Sequence, residues 1–419
     1  MNLSQKYKII LLITYFILCI ITNLFYKNYL FEKSLIIAKN FQSIFSSQFS
    51  KAFFLLITQF GSQVFYIPVF LIYFILNPLN YFIYIITTLI LSIYTDCLMK
   101  IIYNDPRPFF INSELFQECE GGFGNPSGHS FGAAATYLGI WHLSMRYKKF
   151  KNNNKVIYGS LIFTIIFIFI IMISRIYRGV HSIDQIIYGG LLGLGFYYLM
   201  FFIVDIYKLK PKEFFEKIDK DKYIFISIFC FLIILIFPFY FIFNKYDDKI
   251  DSYNKILNEK CKIEEYLKYY NNGVVGCLLV IILLAIYLGL IFLKKKCEKN
   301  IIDYEYKLLN LNKSNLKTNL IRSVIFLLFS FPFILFILIK SNNLFIIFFF
   351  KIGLSFFFGS FSMFGLGIYF GFYLINKYNT NENVKNNISI DSSTDREISQ
   401  YSTVNASPPE KFSIVEIQY

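Results

Sequence analysis

The apolar residues of this chain fall in blocks of about twenty, the length of helix that crosses the hydrocarbon core of a bilayer. Stopping each block at charges or turn residues predicts ten spans, over 8–26, 64–77, 81–99, 129–146, 156–174, 183–205, 223–243, 273–293, 321–340 and 344–376. Composition agrees. Of 419 residues, 56% are hydrophobic and 16% charged, where soluble domains average about a quarter charged. These values exclude a soluble globular enzyme, a wholly disordered chain and a collagen-like one, and seven cysteines in this length make no disulfide scaffold. The expected fold is an all-α polytopic membrane helical bundle.

Basic residues set the orientation. Loop 146–155 carries Arg146, Lys148, Lys149, Lys151 and Lys155 without an acid, 207–222 carries six Lys, and 294–322 carries eight basic residues. Loop 244–271 balances six Lys against six acids, and 101–128 has one Arg against four acids. By the bias of short cytosolic loops toward Lys and Arg, the basic loops are expected in the cytosol and loops 101–128 and 175–182 on the lumenal or extracellular face. The net charge of +14 is assigned to this topology, with no nucleic-acid partner. Both termini are then cytosolic, and the sequons at Asn2, Asn312, Asn387 and Asn405 go unglycosylated.

Several segments carry more particular expectations. The run 9–22 lacks a small-residue cleavage site before Lys27 and is taken as an anchored span rather than a signal peptide. Segment 27–63, with Lys33, Lys39 and Lys51, suits an interfacial amphipathic helix. The turn Asn77-Pro78-Leu79-Asn80 leaves the second and third spans as either a tight hairpin or one kinked helix, and Lys351 predicts a break in the last run. Residues 377–419, rich in Asn, Ser and charge, read as a disordered tail. Cys119 and Cys261 lie in polar segments on one aqueous side; a bond between them is open, with free thiols favoured.

Three clusters place ionisable groups where an apolar run meets the non-cytosolic face, and such groups are functional candidates. They are Lys100 with Arg107 and Pro108, then Pro126-Ser127-Gly128-His129 opening a span, then Ser174-Arg175 with Arg178 and His181 joining two spans. Taken singly, Lys100 reads as a snorkelling border residue, Arg175 and Arg178 as topology anchors, and His142 beside Trp141 as an interfacial side chain. Together the three clusters converge on one membrane face, which anchors alone do not require. Three cations and a Gly-rich turn at a helix start make an anion site suited to a phosphate dianion. Two of the three His in the chain add an acid and a nucleophile for phosphoryl transfer. No Cys/His metal spacing accompanies them, so no metal and no cofactor is expected.

These motifs resemble the type-2 phosphatidic acid phosphatase superfamily, with its K-x6-R-P, P-S-G-H and S-R-x5-H-x3-D signature, over roughly residues 50–206. The resemblance implies that His181 forms a phosphohistidine and His129 protonates the leaving oxygen. Lys100, Arg107, Ser127, Gly128 and Arg175 would hold the phosphoryl oxygens. The chain departs from the signature at one place: Gln185 stands where the family has Asp, and Asp184 lies one residue earlier. Either shares a helical face with His181 and is a candidate to orient its ring. The resemblance further implies a six-helix core with about four additional C-terminal transmembrane helices. The divisions are 1–49, an N-terminal span and interfacial segment; 50–206, the core; 207–376, an additional transmembrane region; and 377–419, the tail. The expected partners are membrane lipids and a phosphorylated substrate, a lipid phosphate first. A sugar phosphate of the glucose-6-phosphatase type comes second, favoured by Cys119-Glu120-Gly-Gly-Phe-Gly-Asn-Pro-Ser-Gly-His. A lipid-binding or transport protein on a degenerate scaffold is the non-enzymatic alternative. The expected location is the endoplasmic reticulum, another endomembrane, or the plasma membrane.

Overall fold

The computed structural model describes residues 3–62, 65–66, 69, 79–145, 153–206, 220–243, 248–261, 269–310, 324–325, 328–329 and 343–370. Among the described residues every regular element is helical. The long ones are α1 (Leu3–Ile44), α2 (Gln48–Gln59), α3 (Leu79–Tyr103), α4 (Gly128–Met145), α5 (Asn154–Tyr177), α6 (Ile183–Ile206), α7 (Lys222–Phe243), α8 (Asp248–Lys260), α9 (Tyr269–Leu278) and α10 (Val280–Asn310). A last helical stretch begins at Leu344. Seven segments among the described residues are long and apolar enough to cross a membrane: Lys6–Ile44, Tyr81–Ile111, Asn154–Tyr177, Ile183–Phe202, Lys222–Phe243, Asn271–Lys295 and Leu344–Phe370. The expected spans 64–77 and 321–340, the tail, and most of the basic residues of the three basic loops lie outside or largely outside the described residues.

The expected span 129–146 forms a helix, α4, that is not among those seven. Its composition explains the difference. Gly128-His-Ser-Phe-Gly-Ala-Ala-Ala-Thr is a run of small residues, and Ser130 to Thr136 are all buried. Helix α4 stands at the centre of the bundle, packed by α3, α5 and α6, so its neighbours are protein rather than lipid. Close approach to α6 needs bare backbone: a Cβ on Gly189 would sit 2.5 Å from the Ser127 carbonyl, and one on Gly193 2.6 Å from that of Phe131. This is the small-residue contact that membrane helices use for tight association. By contrast α5 presents Ile162, Phe163, Ile166 and Phe169 outward, the surface a hydrocarbon solvent favours.

Two segments correct the sequence reading. Residues 27–44 are not a separate interfacial helix but continue α1 without a break. No Gly or Pro interrupts Leu3–Ile44, and its charges find partners instead of ending the helix. Lys27 pairs with Asp105 at 3.0 Å and Lys39 with Glu114 at 2.8 Å. The separate amphipathic piece is the shorter α2, started by the Ser47 side chain accepting from the Ser50 amide. Lys351, in turn, does not break the last run, which stays helical from Leu344 to Gly367 by passing through two π-helical segments, Ile347–Leu354 and Ser362–Gly367.

The cysteine reading also changes. Cys119 and Cys261 are joined as a disulfide, with Cα atoms 5.7 Å apart, inside the range that a bridge can span. Helix α8 brings them together. Tyr253 stacks on Phe110 at 4.8 Å, Lys260 donates to the Ser113 carbonyl at 3.0 Å, and Cys261 follows at the end of the helix. Mass spectrometry of a non-reduced digest should find the Cys119 and Cys261 peptides linked, with Cys19, Cys97, Cys230 and Cys277 as free thiols. Alkylation of Cys119 in the native, unreduced protein would contradict this pairing.

Candidate active site

The site forms where α3 ends, α4 begins and α5 turns into α6. Lys100 closes the last turn of α3, and four residues before it Asp96 accepts its ammonium at 2.9 Å. After α3 the chain leads into Arg107, whose buried guanidinium is shared between backbone carbonyls, His181 and the Glu120 carboxylate, 3.1 Å from Nη2. Its Nε donates to the Gly122 carbonyl at 3.0 Å, Nη2 to Gly121 at 2.8 Å, and Nη1 to Val180 at 3.2 Å. Nη1 also lies 3.2 Å from His181 Nε2.

Three contacts define the His181 ring, one with Arg107 at Nε2 and two at Nδ1. Its Nδ1 lies 2.9 Å from the Gly124 carbonyl and 3.2 Å from Gln185 Oε1. The Gln185 amide is itself oriented, because Oε1 accepts from the Ser182 amide at 3.3 Å and Nε2 donates to the Pro106 carbonyl at 2.9 Å. Two acceptors at Nδ1 put the proton there, and the donor Arg107 at Nε2 faces the lone pair. Burial, then Arg107, Arg175 and Lys100, hold His181 well below the usual imidazole pKa, against the opposing pull of Glu120. Its resting state is neutral. Asp184 is also buried, and its Oδ1 has no hydrogen-bond partner among the described residues.

A cavity of about 320 Å³ opens beside these groups. Lys100, Arg107, Gly128 and His129 line it together with Glu118 and Glu120. His129 packs so closely on Gly61 that a Cβ there would lie 2.9 Å from the ring. Arg175, fully buried, pairs with Glu118 at 3.1 Å and also with Glu120 and the Thr58 hydroxyl. Ser127 is buried behind the wall, its amide donating to the Gln185 carbonyl at 3.0 Å and its hydroxyl accepting from Ser130. Arg178, read from sequence as an anchor, binds Glu118 at 3.3 Å and the Gln117 carbonyl at 2.6 Å. His142 lies apart, 3.2 Å from the Tyr197 hydroxyl. Among the described residues no group of three or more His, Cys, Asp or Glu is placed to hold a metal ion.

Lys100, Arg107, Gly128, His129, Arg175, His181 and Gln185, spread over 86 positions of sequence, thus meet around one cavity or directly behind its wall. Residues 81–208 match the PAP2 superfamily. The PAP2 segment contains every one of these side chains. Over 100 residues the chain is 33% identical to phosphatidylglycerophosphatase B of Bacillus subtilis (strain 168), an alignment covering 23% of this chain and 45% of that relative. The chain thus spans less than half of that protein's length. The crystal structure of a transmembrane PAP2 type phosphatidylglycerolphosphate phosphatase from Bacillus subtilis aligns with 47% of this chain and 98% of its own, at 22% identity and a TM-score of 0.42.

Beyond the PAP2 segment the wall is completed by Gln59, Gly61, Ser62 and Tyr66 before it and by Asn272 of α9 after it. Sequence reasoning missed these, along with Asp96, Glu118 and Glu120. The two glutamates had one visible signal, their position in the loop between the Arg107-Pro108 and Pro126–His129 motifs. Gly128 has a steric role, since a Cβ there would meet Asp96 Oδ2 at 2.7 Å. Gly128→Ala should destabilise the protein by about 1–3 kcal/mol, the usual range for overpacking, read as a lower unfolding midpoint in detergent. An unchanged midpoint would mean that Asp96 moves freely and does not fix Lys100.

Proposed function

We propose that this chain is an integral membrane phosphatase that hydrolyses a phosphomonoester, a lipid phosphate above all, through a phosphohistidine on His181. The observation that carries the proposal is the His181 ring, with its proton directed to Gly124 and Gln185 and its lone pair toward Arg107. In the proposed reaction Nε2 attacks phosphorus, the P–O ester bond breaks, and His129 gives the leaving oxygen its proton. Water, deprotonated by His129, then breaks the P–N bond and releases phosphate. Arg107, Arg175 and Lys100 supply the positive charge that the transferring group needs, with Gly128 at the start of α4 and Ser127 beside it. Gln185 takes the ring-orienting part, Asp184 does not, and no metal is required.

The relative's name, phosphatidylglycerophosphatase B, supports a lipid phosphate, as does a site framed by membrane helices. Residues 50–206 act as the core and 207–376 as an added transmembrane region. The Cys119–Cys261 bond supports a lumenal or extracellular site, since disulfides persist on oxidising faces. A second reading, a sugar phosphate, is favoured by the polar wall of Glu118 and Asn272.

Purified protein should release phosphate from micellar lipid phosphates faster than from sugar phosphates, with chelator present. His181→Ala should abolish both turnover and phosphoenzyme trapping. His129→Ala should slow turnover by roughly a hundred- to ten-thousandfold, and less for a substrate with a good leaving group. Gln185→Ala should lower the rate far more than Asp184→Asn at equal protein level. Strict dependence on added magnesium, or equal trapping in wild type and His181→Ala, would refute the mechanism. A tag in loop 244–271 should be accessible from the non-cytosolic face and one in loop 146–155 from the cytosol; both on one side would refute the placement.

A further inference from the structure

The cationic centre of the site already holds an anion. Glu120 reaches Arg107 Nη2 with Oε1 at 3.1 Å and Arg175 Nη2 with Oε2, so one carboxylate spans two guanidinium groups, as two oxygens of a phosphoryl group would. It is fastened there from both sides in sequence. Glu118 pairs with Arg175 and Arg178, and Arg178 also takes the Gln117 carbonyl. Cys119, between the two glutamates, is bonded to Cys261 under α8. Burial alone would raise the Glu120 pKa, but Arg107 and Arg175 outweigh it and hold the carboxyl well below its usual value. The two guanidiniums thus favour the ionised form of the occupant.

We propose that Glu120 is an internal competitor for the phosphoryl pocket and makes the site selective for the charge of the incoming group. A singly charged phosphodiester that displaces it exchanges one negative charge for another and gives up its own hydration, with no electrostatic gain. A phosphomonoester, with a second pKa near 6, arrives at neutral pH mostly as a dianion and brings about twice the charge to the same two guanidiniums. Displaced Glu120 has room in the cavity of about 320 Å³ that it lines. The proposal rests on the phosphatase reading for its biological meaning, although it concerns binding alone.

The test uses the full chain in detergent and measures calorimetric binding of inorganic phosphate and of dimethyl phosphate, a singly charged diester, alongside turnover. Wild type should bind phosphate and leave dimethyl phosphate unbound. Glu120→Gln should tighten phosphate by roughly tenfold or more, as expected for removing a charge-assisted competitor, and should admit dimethyl phosphate, so that the gap between the two ligands narrows. Weaker phosphate binding with an unchanged gap would overturn the proposal and make Glu120 a fixed counter-ion of the two arginines. If Glu120→Gln does not fold, Glu120→Ala supplemented with acetate replaces it. Phosphate binding to that variant should then weaken competitively as acetate rises, and the absence of competition would overturn the proposal. Because binding is read without turnover, a protein that shows the charge gap but cleaves nothing would refute the phosphatase reading and sustain this one. An active enzyme indifferent to Glu120→Gln would do the reverse.

Discussion

Arg107 and Arg175 are buried to within 1% of their surface, and the need to keep two such groups charged at the edge of a membrane organises everything near them. An unpaired buried ion costs several kcal/mol, so nearly every N–H finds a partner, Arg175 Nε alone being without one among the described residues. The chain between Arg107 and Gly128 answers that need. It coils back so that the carbonyls of Gly121 and Gly122 face Arg107, while Glu118 and Glu120 turn their carboxylates onto Arg175. Once those carbonyls are spent, the next residues have their direction set, and the Gly124 carbonyl comes to His181. The loop that looks like a mere connection between two motifs is thus the counter-charge of the site.

The bundle supports this arrangement through one unusual helix. Because α4 is lined with Gly, Ala and Ser, α6 lies against it backbone to backbone, and the two helix starts bearing His129 and Gln185 approach closely. The Ser127 amide bonds the Gln185 carbonyl at 3.0 Å, tying one motif directly to the other. Larger side chains at these positions would satisfy hydropathy better and separate the two histidine-bearing ends. Packing rather than solvent thus sets the composition of α4.

Elements outside the matched segment take part as well. Helix α9 docks on α3 at Gly273 and Gly276, against Ile101 and Cys97, and brings Asn272 to the cavity. Helix α8 covers the acidic loop and ends in the disulfide. A region that offers no motif of its own therefore shapes both the wall of the site and the loop within it.

How much of this was legible follows from the range of the forces involved. Apolar blocks and small-residue turns act over one or two helical turns, so the sequence by itself determined the all-helical membrane bundle, most of the spans, and the gathering of Lys100, Arg107, His129, Arg175 and His181 as candidates. It also determined that α1 contains no breaker, although the charges at 27–39 concealed that until Asp105 and Glu114 appeared as their partners. What only the tertiary structure decided depends on contacts between distant residues. Cys119 meets Cys261 across 142 positions, and Glu120 meets Arg175 across 55. Gln185 rather than Asp184 reaches the His181 ring because Pro106, 79 positions earlier, holds the other end of its amide. Helical spacing offered both residues to the histidine, yet His181 stands just before α6 (Ile183–Ile206); which one points at its ring depends on a partner that no local spacing contains.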